Sequence, residues 1–428
     1  MKQFNTVKIG VIGCGTVGTT FIEAFRAKRS FFRTVTGVDF VITRITDKDS
    51  AKKRLFPDLF VPSAEEIIAD PEINIVVELV GGTGAAFSFI TGAMQQGKSV
   101  VTANKALLSE RADELFALAA KKRVSLGFET SVAGAIPIIK TLRESFIGNN
   151  LTLFLGILNG TTNFILSRMS DEGMGFSEAL AEARRRGYAE ADPHLDISGY
   201  DTAHKLAILA RFIFRKSVSL KEMHIEGIQQ IEPADIRNAA ELGYRIKLLA
   251  VGKKKGHTVE LRVHPALLPS EHQLARVEDV FNGIYLEGDL IGKSLLFGEG
   301  AGGPAAASSV ISDIVEIGLK LHRNDGPALH FPPDPQARLL PPDEVETRYY
   351  FRFSVLDRPA VLGEIARVLG ENSISIASVI QKKESPRKTV PVVMLTHRTK
   401  ERNVKRALRI IDGLPVIKNR TVKIRVED

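Results

Sequence analysis

From Glu190 to Lys205 the chain reads Glu-Ala-Asp-Pro-His-Leu-Asp-Ile-Ser-Gly-Tyr-Asp-Thr-Ala-His-Lys, which crowds acids and a lysine into sixteen residues. Such a mixture can bind an ammonium or a hydroxyl and move a proton between oxygen and nitrogen. Asp201 and Lys205 are four residues apart, and Leu206, Ile208, Leu209, Phe212 and Ile213 follow at helical spacing. The spacing predicts a helix with both charges on one face of its first turn, where a carboxylate and an amine reach the same substrate. Taken alone, the pair also reads as an ordinary exposed ion pair at a helix start.

The elements that must position this segment begin with an alternation of apolar strands and helices up to about Phe128. Strands are expected at 7–13, 40–45, 75–79, 99–102 and 124–128, with helices around 17–28, 64–69, 87–96 and 111–121. Ile12-Gly13-Cys14-Gly15-Thr16-Val17-Gly18 carries G-x-G-x-x-G between the first strand and the first helix. The first glycine makes the tight turn, the second lets a pyrophosphate approach the backbone, and the third lets helix and strand pack closely. In that setting the motif indicates a dinucleotide. Asp47, after the second strand, suits the ribose 2′-hydroxyl of NAD, while Arg44, Lys48, Lys52 and Lys53 suit the 2′-phosphate of NADP; the choice stays open. In a parallel sheet two later turns face the same ligand: Gly81-Gly82-Thr83, and Ala103-Asn104-Lys105, which points an amide and a cation toward the nicotinamide. The loop Glu129-Thr-Ser-Val132-Ala-Gly134-Ala-Ile136 reads as a plain turn, or as a source of carbonyl oxygens for a hard cation with Glu129 as its one charged ligand.

Length and composition bound the rest. A chain of 428 residues, 44% hydrophobic and 25% charged, is long enough for two or three domains with cores of their own. No apolar run is long enough to span a membrane and no signal-peptide pattern opens the chain, so the cytoplasm is expected. Cys14 is the single cysteine and reads as a packing residue. The net charge of +8 comes from short, scattered clusters such as 52–54, 184–186 and 253–255, which fit an anionic small molecule and no nucleic acid.

Five segments in order carry a resemblance: Gly13-x-Gly15-x-x-Gly18, Thr102-Ala-Asn104-Lys105, Glu129-Thr-Ser-Val-Ala-Gly134, Gly156-Ile-Leu-Asn159-Gly160-Thr161-Thr-Asn163, and the run from Gly187 through Glu190, Asp196 and Asp201 to Lys205. Together they resemble homoserine dehydrogenases over residues 1–320, including Gly300-Ala-Gly302-Gly303, a segment that in the family returns to the cofactor. The resemblance implies NAD(P)-dependent interconversion of L-homoserine and L-aspartate 4-semialdehyde. It implies that Lys205 is the general acid–base, assisted by Lys105 and Asp201. It further implies that Glu190, Asp196, Asp201, Asn159, Gly160 and Thr161 bind substrate, and that Ile12, Gly13, Gly15, Thr16, Val17, Gly18, Gly81, Thr83, Asn104, Lys105 and Gly302 hold the cofactor. A monovalent cation, usually sodium, is implied at Glu129, Val132, Gly134 and Ile136, mostly through carbonyls. Two departures stand out: Gly84-Ala85-Ala86 replaces a common acid and proline, and Thr46-Asp47 replaces a common Arg-Asp. A non-catalytic sensor would have no need of Lys105, Asp201 and Lys205, and a different dehydrogenase would not share the Asn159–Asn163 and Glu190–Asp201 motifs.

The expected architecture is α/β. A Rossmann-type doubly wound sheet (1–130) is followed by an α+β substrate and dimerisation domain (131–322, with 298–320 returning to the cofactor domain). A proline-rich linker (323–346) then leads to a βαββαβ ferredoxin-like domain (347–428). That last domain resembles ACT ligand-sensing modules, which implies an amino-acid effector, threonine, near Asp357, Gly363 and Ile376. A homodimer or homotetramer is expected, and, with no kinase segment before Met1, a chain of one activity.

Overall fold

The structure is a computed structural model that describes residues 6–326, 331–381 and 389–427. It contains two compact units that interleave along the chain: residues 1–150, 204–219 and 298–335 form the first, and residues 151–203, 220–297 and 336–428 the second. The C-terminal module joins the second unit, and the stretch beginning at Gly298 joins the first.

In the first unit, β1 (Thr6–Ile12), β2 (Asp39–Thr46), β3 (Ile75–Glu78), β4 (Ser99–Thr102) and β5 (Leu126–Gly127) form a parallel sheet in the order β2-β1-β3-β4-β5. Its central strands are buried throughout because helices cover both faces. These are α1 (Thr16–Ala27), α2 (Arg29–Thr36), α3 (Ala64–Ala69), α4 (Gly84–Gln95), α5 (Lys105–Lys122), the short α6 (Ile138–Lys140), and α12 (Gly303–Arg323) from far along the chain. The helix expected at 111–121 starts six residues earlier and is kinked at Arg111, whose backbone is non-helical. Phe21, Phe25 and Phe40 pack with Val310, Ile314 and Ile317 of α12 in one apolar core. Strand order reverses between β1 and β3, so a crevice opens beyond their carboxyl ends.

The second unit is built on one mixed sheet. β6 (Leu151–Ile157), α7 (Gly160–Asp171), α8 (Phe176–Arg185) and α9 (His194–Ile197) come first, and α10 (Tyr200–Ile213) carries the boundary between units within it. Then follow β7 (His224–Ile225), α11 (Pro233–Glu241), β8 (Tyr244–Lys255), β9 (Thr258–Pro269), β10 (Phe281–Gly288) and β11 (Gly292–Glu299). The expected linker contributes a two-residue strand, β12 (Arg338–Leu339). The C-terminal module runs β13 (Glu346–Leu356), α13 (Val361–Glu371), β14 (Ile376–Gln381), β15 (Thr389–Thr396), β16 (Thr399–Lys400), α14 (Glu401–Ile411) and β17 (Ile417–Val426). Its principal strands lie in the order β17-β13-β15-β14, all antiparallel, with Phe351 and Phe353 packed on Ile365, Leu369 and Val404. The module continues the larger sheet because one edge of β9 carries three short parallel pairings: β12 at 258–259, β7 at 262–263 and β17 at 266–267. No described helix is long and apolar enough to cross a membrane.

Candidate active site

The crevice of the first unit has a volume of about 600 Å³ and is walled by Ile12, Gly13 and Gly15 on one side and by Leu79, Val80 and Gly81 on the other. Gly13 has φ +108°, and a Cβ there would stand 2.7 Å from Leu79 O; a Cβ on Gly18 would collide with Gly13 O. Packing therefore demands those two glycines. Gly15 is different, since a Cβ on it would meet nothing within 4 Å. Its bare backbone borders the cavity at the start of α1, which no side chain caps, so its first amides are available to an anion. Thr16, Val17, Thr83, Asn104, Lys105 and Gly302 are not part of the cavity wall.

Asp47 lines the cavity, yet its carboxylate accepts the Cys14 amide at 2.5 Å and the Asp49 amide at 2.8 Å. Lys48 and Lys52 line the same end and make no ion pair among the described residues. Burial, with Asp47 close by, pushes the Cys14 thiol up to about 12, which agrees with a packing role.

One residue of this site is silent in the sequence. Glu78, fully buried at the end of β3, accepts the Val80 amide at 2.8 Å and the Thr102 hydroxyl at 2.5 Å. Thr102 accepts the Asn104 amide at 3.0 Å, and Asn104 donates back to Gly82 O at 2.7 Å while capping α5 through the Leu107 amide. The two turns after β3 and β4 are thus tied to each other, and Lys105 opens the helix that they launch. Burial raises the Glu78 carboxyl to about 7.

The Glu129 loop is also in this unit. The Glu129 carboxylate is spent on the amides of Ile139 at 2.7 Å and Lys140 at 2.9 Å, and burial beside Asp313 pushes it up to about 7. Gly134 O accepts the Ser309 hydroxyl and Ile136 O the Ile138 amide. The Glu129 carboxylate and the Gly134 and Ile136 carbonyls are thus all engaged within the chain. No group of three His, Cys, Asp or Glu residues is placed to hold a metal among the described residues.

The lysine-bearing part of α10 is seated in the first unit through Phe212, whose ring lies 5.9 Å from Phe116 and 5.5 Å from Phe128, and through the Arg211–Asp113 ion pair. Lys205 is buried on this helix, one turn after Asp201, as the spacing predicts.

In the second unit Asn159 gathers the acids. Its oxygen caps α7 by accepting the Thr162 amide at 2.8 Å, and its Nδ2 donates to Asp196 at 2.7 Å and to Asp201 at 2.8 Å. Two carboxylates from the end of α9 and the start of α10 are held on one amide. Thr161 donates to Tyr188 O at 2.6 Å. Gly160 and Asn163 serve the frame: a Cβ on Gly160 would stand 2.6 Å from Val280 O, and Asn163 donates to the carbonyls of Val277, Asp279 and Phe281. The buried Lys247 completes that anchor through Asn163 and Val277 O, and burial lowers it to about 8. Glu190 is exposed and outside the Asn159 cluster.

Known proteins match the chain over nearly its whole length. Residues 13–129 match the family model for the homoserine dehydrogenase NAD-binding domain, and residues 137–315 match that for homoserine dehydrogenase. A homoserine dehydrogenase of Neisseria gonorrhoeae is 40% identical, with 98% of each chain covered. The crystal structure of a homoserine dehydrogenase from Thiobacillus denitrificans superposes with a TM-score of 0.94 at 38% identity over 100% of both chains. A hyperthermophilic archaeal homoserine dehydrogenase in complex with NADPH gives a TM-score of 0.64 at 30% identity, over 74% of this chain and 98% of its own. Two family models that together span most of the chain, and relatives matched over nearly their full length, agree: the chain belongs to the homoserine dehydrogenase family of NAD(P)-dependent oxidoreductases.

Proposed function

We propose that the chain interconverts L-homoserine and L-aspartate 4-semialdehyde, with Asp196 and Asp201 binding substrate and Lys205 moving the proton. The observation that carries this reading is the Asn159 amide holding both carboxylates at the start of the helix that bears Lys205. In the reducing direction a hydride from the nicotinamide reaches the aldehyde carbon, and the oxygen takes a proton from the Lys205 ammonium; in oxidation neutral Lys205 removes the hydroxyl proton as the hydride leaves. Lys105 supports the developing alkoxide, Glu190 meets the substrate ammonium, and Thr161 shapes the pocket. A monovalent cation on the Glu129–Ile136 carbonyls would brace that loop and take no part in the step. The test is reduced-nicotinamide absorbance with purified protein and homoserine, each dinucleotide offered in turn; binding of both without homoserine-dependent reduction would overturn the reading.

We infer a preference for NADP. Asp47 is engaged by two amides, which weakens its claim on a ribose hydroxyl, and Lys48 and Lys52 supply charge for a 2′-phosphate. Lys52→Ala is expected to raise KM for NADP about tenfold, in line with loss of a charged hydrogen bond, and to leave KM for NAD unchanged. Equal changes for both dinucleotides in steady-state kinetics would refute this.

The C-terminal module is proposed to be of the ACT type and to bind threonine near Asp357, Gly363 and Ile376. Gly363, in the first turn of α13, leaves open space where a Cβ would sit, beside the left-handed Ala360 at φ +72°. Calorimetric titration with threonine is expected to show saturable binding, accompanied by inhibition that Gly363→Asp abolishes. Absence of binding, or binding without a kinetic effect, would remove the regulatory reading.

A further inference from the structure

After β7 the chain threads Glu226-Gly227-Ile228 between the C-terminal module and the two carboxylates held by Asn159. On the module side, Glu226 Oε2 accepts a hydrogen bond from Arg425 Nη1 at 3.0 Å and stands 3.2 Å from His224 Nε2. Arg425, on β17 and 2% exposed, also reaches Glu401 Oε2 at the start of α14 through Nη2 at 2.9 Å. Lys423 holds the other Glu401 oxygen at 2.6 Å, and the Tyr349 hydroxyl donates to Oε2. Arg425 therefore links a carboxylate inside the module to one outside it.

On the opposite side, the same three residues fill the bend between α9 and α10. Ile228 N–H donates to Ile197 O at 2.9 Å. A Cβ on Gly227 would collide with that oxygen and lie 2.6 Å from Ser198 Cα, while Glu226 O stands 3.2 Å from where a Gly199 Cβ would be. Asp196 precedes this bend and Asp201 follows it, so the position of residues 226–228 sets the angle at which the two acids meet Asn159.

We propose that Glu226 and Arg425 are positioning residues that set the spacing of Asp196 and Asp201, and so couple the state of the C-terminal module to substrate affinity. The proposal rests on the reading of those two acids as substrate ligands. Among the described residues, removing the Glu226 charge leaves Arg425 paired only with Glu401 inside the module, and removing Arg425 leaves Glu226 with His224 alone. Either change cuts the link between module and segment and frees the segment, and the bend with it, to shift. The pair is no proton switch near neutrality: burial alone would raise Glu226, but His224 and Arg425, with Lys423 nearby, hold it down at about 2.

The test is steady-state kinetics on the full chain for Glu226→Gln, Arg425→Met, the double variant and Asp201→Asn, each with a thermal melt. Glu226→Gln and Arg425→Met are expected to raise KM for homoserine about tenfold, within the range of coupling changes along such contacts, with KM for the dinucleotide unchanged. The double variant should be no worse than the poorer single one. Should Arg425→Met fail to fold, Glu226→Gln, whose side chain is 27% exposed, carries the test by itself. Wild-type KM for homoserine in Glu226→Gln, while Asp201→Asn raises it, would overturn the coupling and leave the site reading intact. A uniform loss in kcat and both KM values would mark a packing defect and overturn it as well. If Asp201→Asn itself leaves KM for homoserine unchanged, the site reading falls and the coupling falls with it.

Discussion

Lys205→Ala is expected to lower kcat for homoserine oxidation by about 10²- to 10⁴-fold, the contribution of a positioned acid–base group. The size follows from what the reaction requires. Removing hydride from a primary alcohol without removing its proton would give a protonated aldehyde, so a base must act as the hydride departs. Lys205 is 8% exposed and Asp201, one turn earlier, is 3% exposed, which restricts water as a substitute. Lys205→Arg separates charge from proton transfer. The guanidinium keeps the cation but holds its proton at any working pH, and activity should stay as low as in the alanine variant. A small primary amine added to Lys205→Ala should restore part of the rate, and dinucleotide binding, followed by nicotinamide fluorescence, should be retained because no α10 residue walls the crevice. An alanine variant within tenfold of wild type, or an arginine variant that turns over well, would assign Lys205 an electrostatic role and leave the base elsewhere.

What was legible in the sequence was what local pattern encodes. The glycine motif and the apolar strands of the first unit are written in consecutive residues, and Asp201 and Lys205 fall on one helix because their spacing says so. What was not legible depends on partners far along the chain. Glu78 looks like one acid ending an apolar strand, and its meaning comes from Thr102 and Asn104. Asn159 carries an implied substrate-binding role, and nothing in its local sequence tells that it also caps α7 and clamps two acids about forty residues on. The helix Arg29–Thr36 went unseen because it is rich in β-branched and aromatic residues and buries only Phe32, leaving no stripe to read. The pairing of β17 with β9 joins residues about 160 apart over two positions, a contact with no local signature, and it is this pairing that merges an apparently separate module into the second unit.

The attachment of that module supports a second large effect: Asp235→Ala should destabilise the second unit by about 3–5 kcal/mol, the cost of breaking a buried ion pair from one side. Asp235, at 0% exposure on α11, accepts Arg352 Nε at 2.7 Å and Nη2 at 3.0 Å and the Tyr350 hydroxyl at 3.1 Å, both partners belonging to β13. Its Oδ2 also accepts the Glu232 amide at 3.0 Å, closing the capping box of α11. Among the described residues, alanine leaves the buried Arg352 guanidinium with Glu232, a side chain 60% exposed, as its one acidic partner, and frees a helix-end amide. Asp235→Asn should fall between alanine and wild type, since it keeps the shape and one acceptor but loses the charge. Combining Asp235→Leu with Arg352→Met should recover much of the loss, because a buried ion pair exchanged for apolar packing costs far less than a broken one. Urea unfolding would measure the three variants against the wild type. A loss below about 1 kcal/mol in Asp235→Ala would show that Glu232 alone satisfies Arg352, and that the module is held to the sheet chiefly by the β9–β17 pairing and the charges around Arg425.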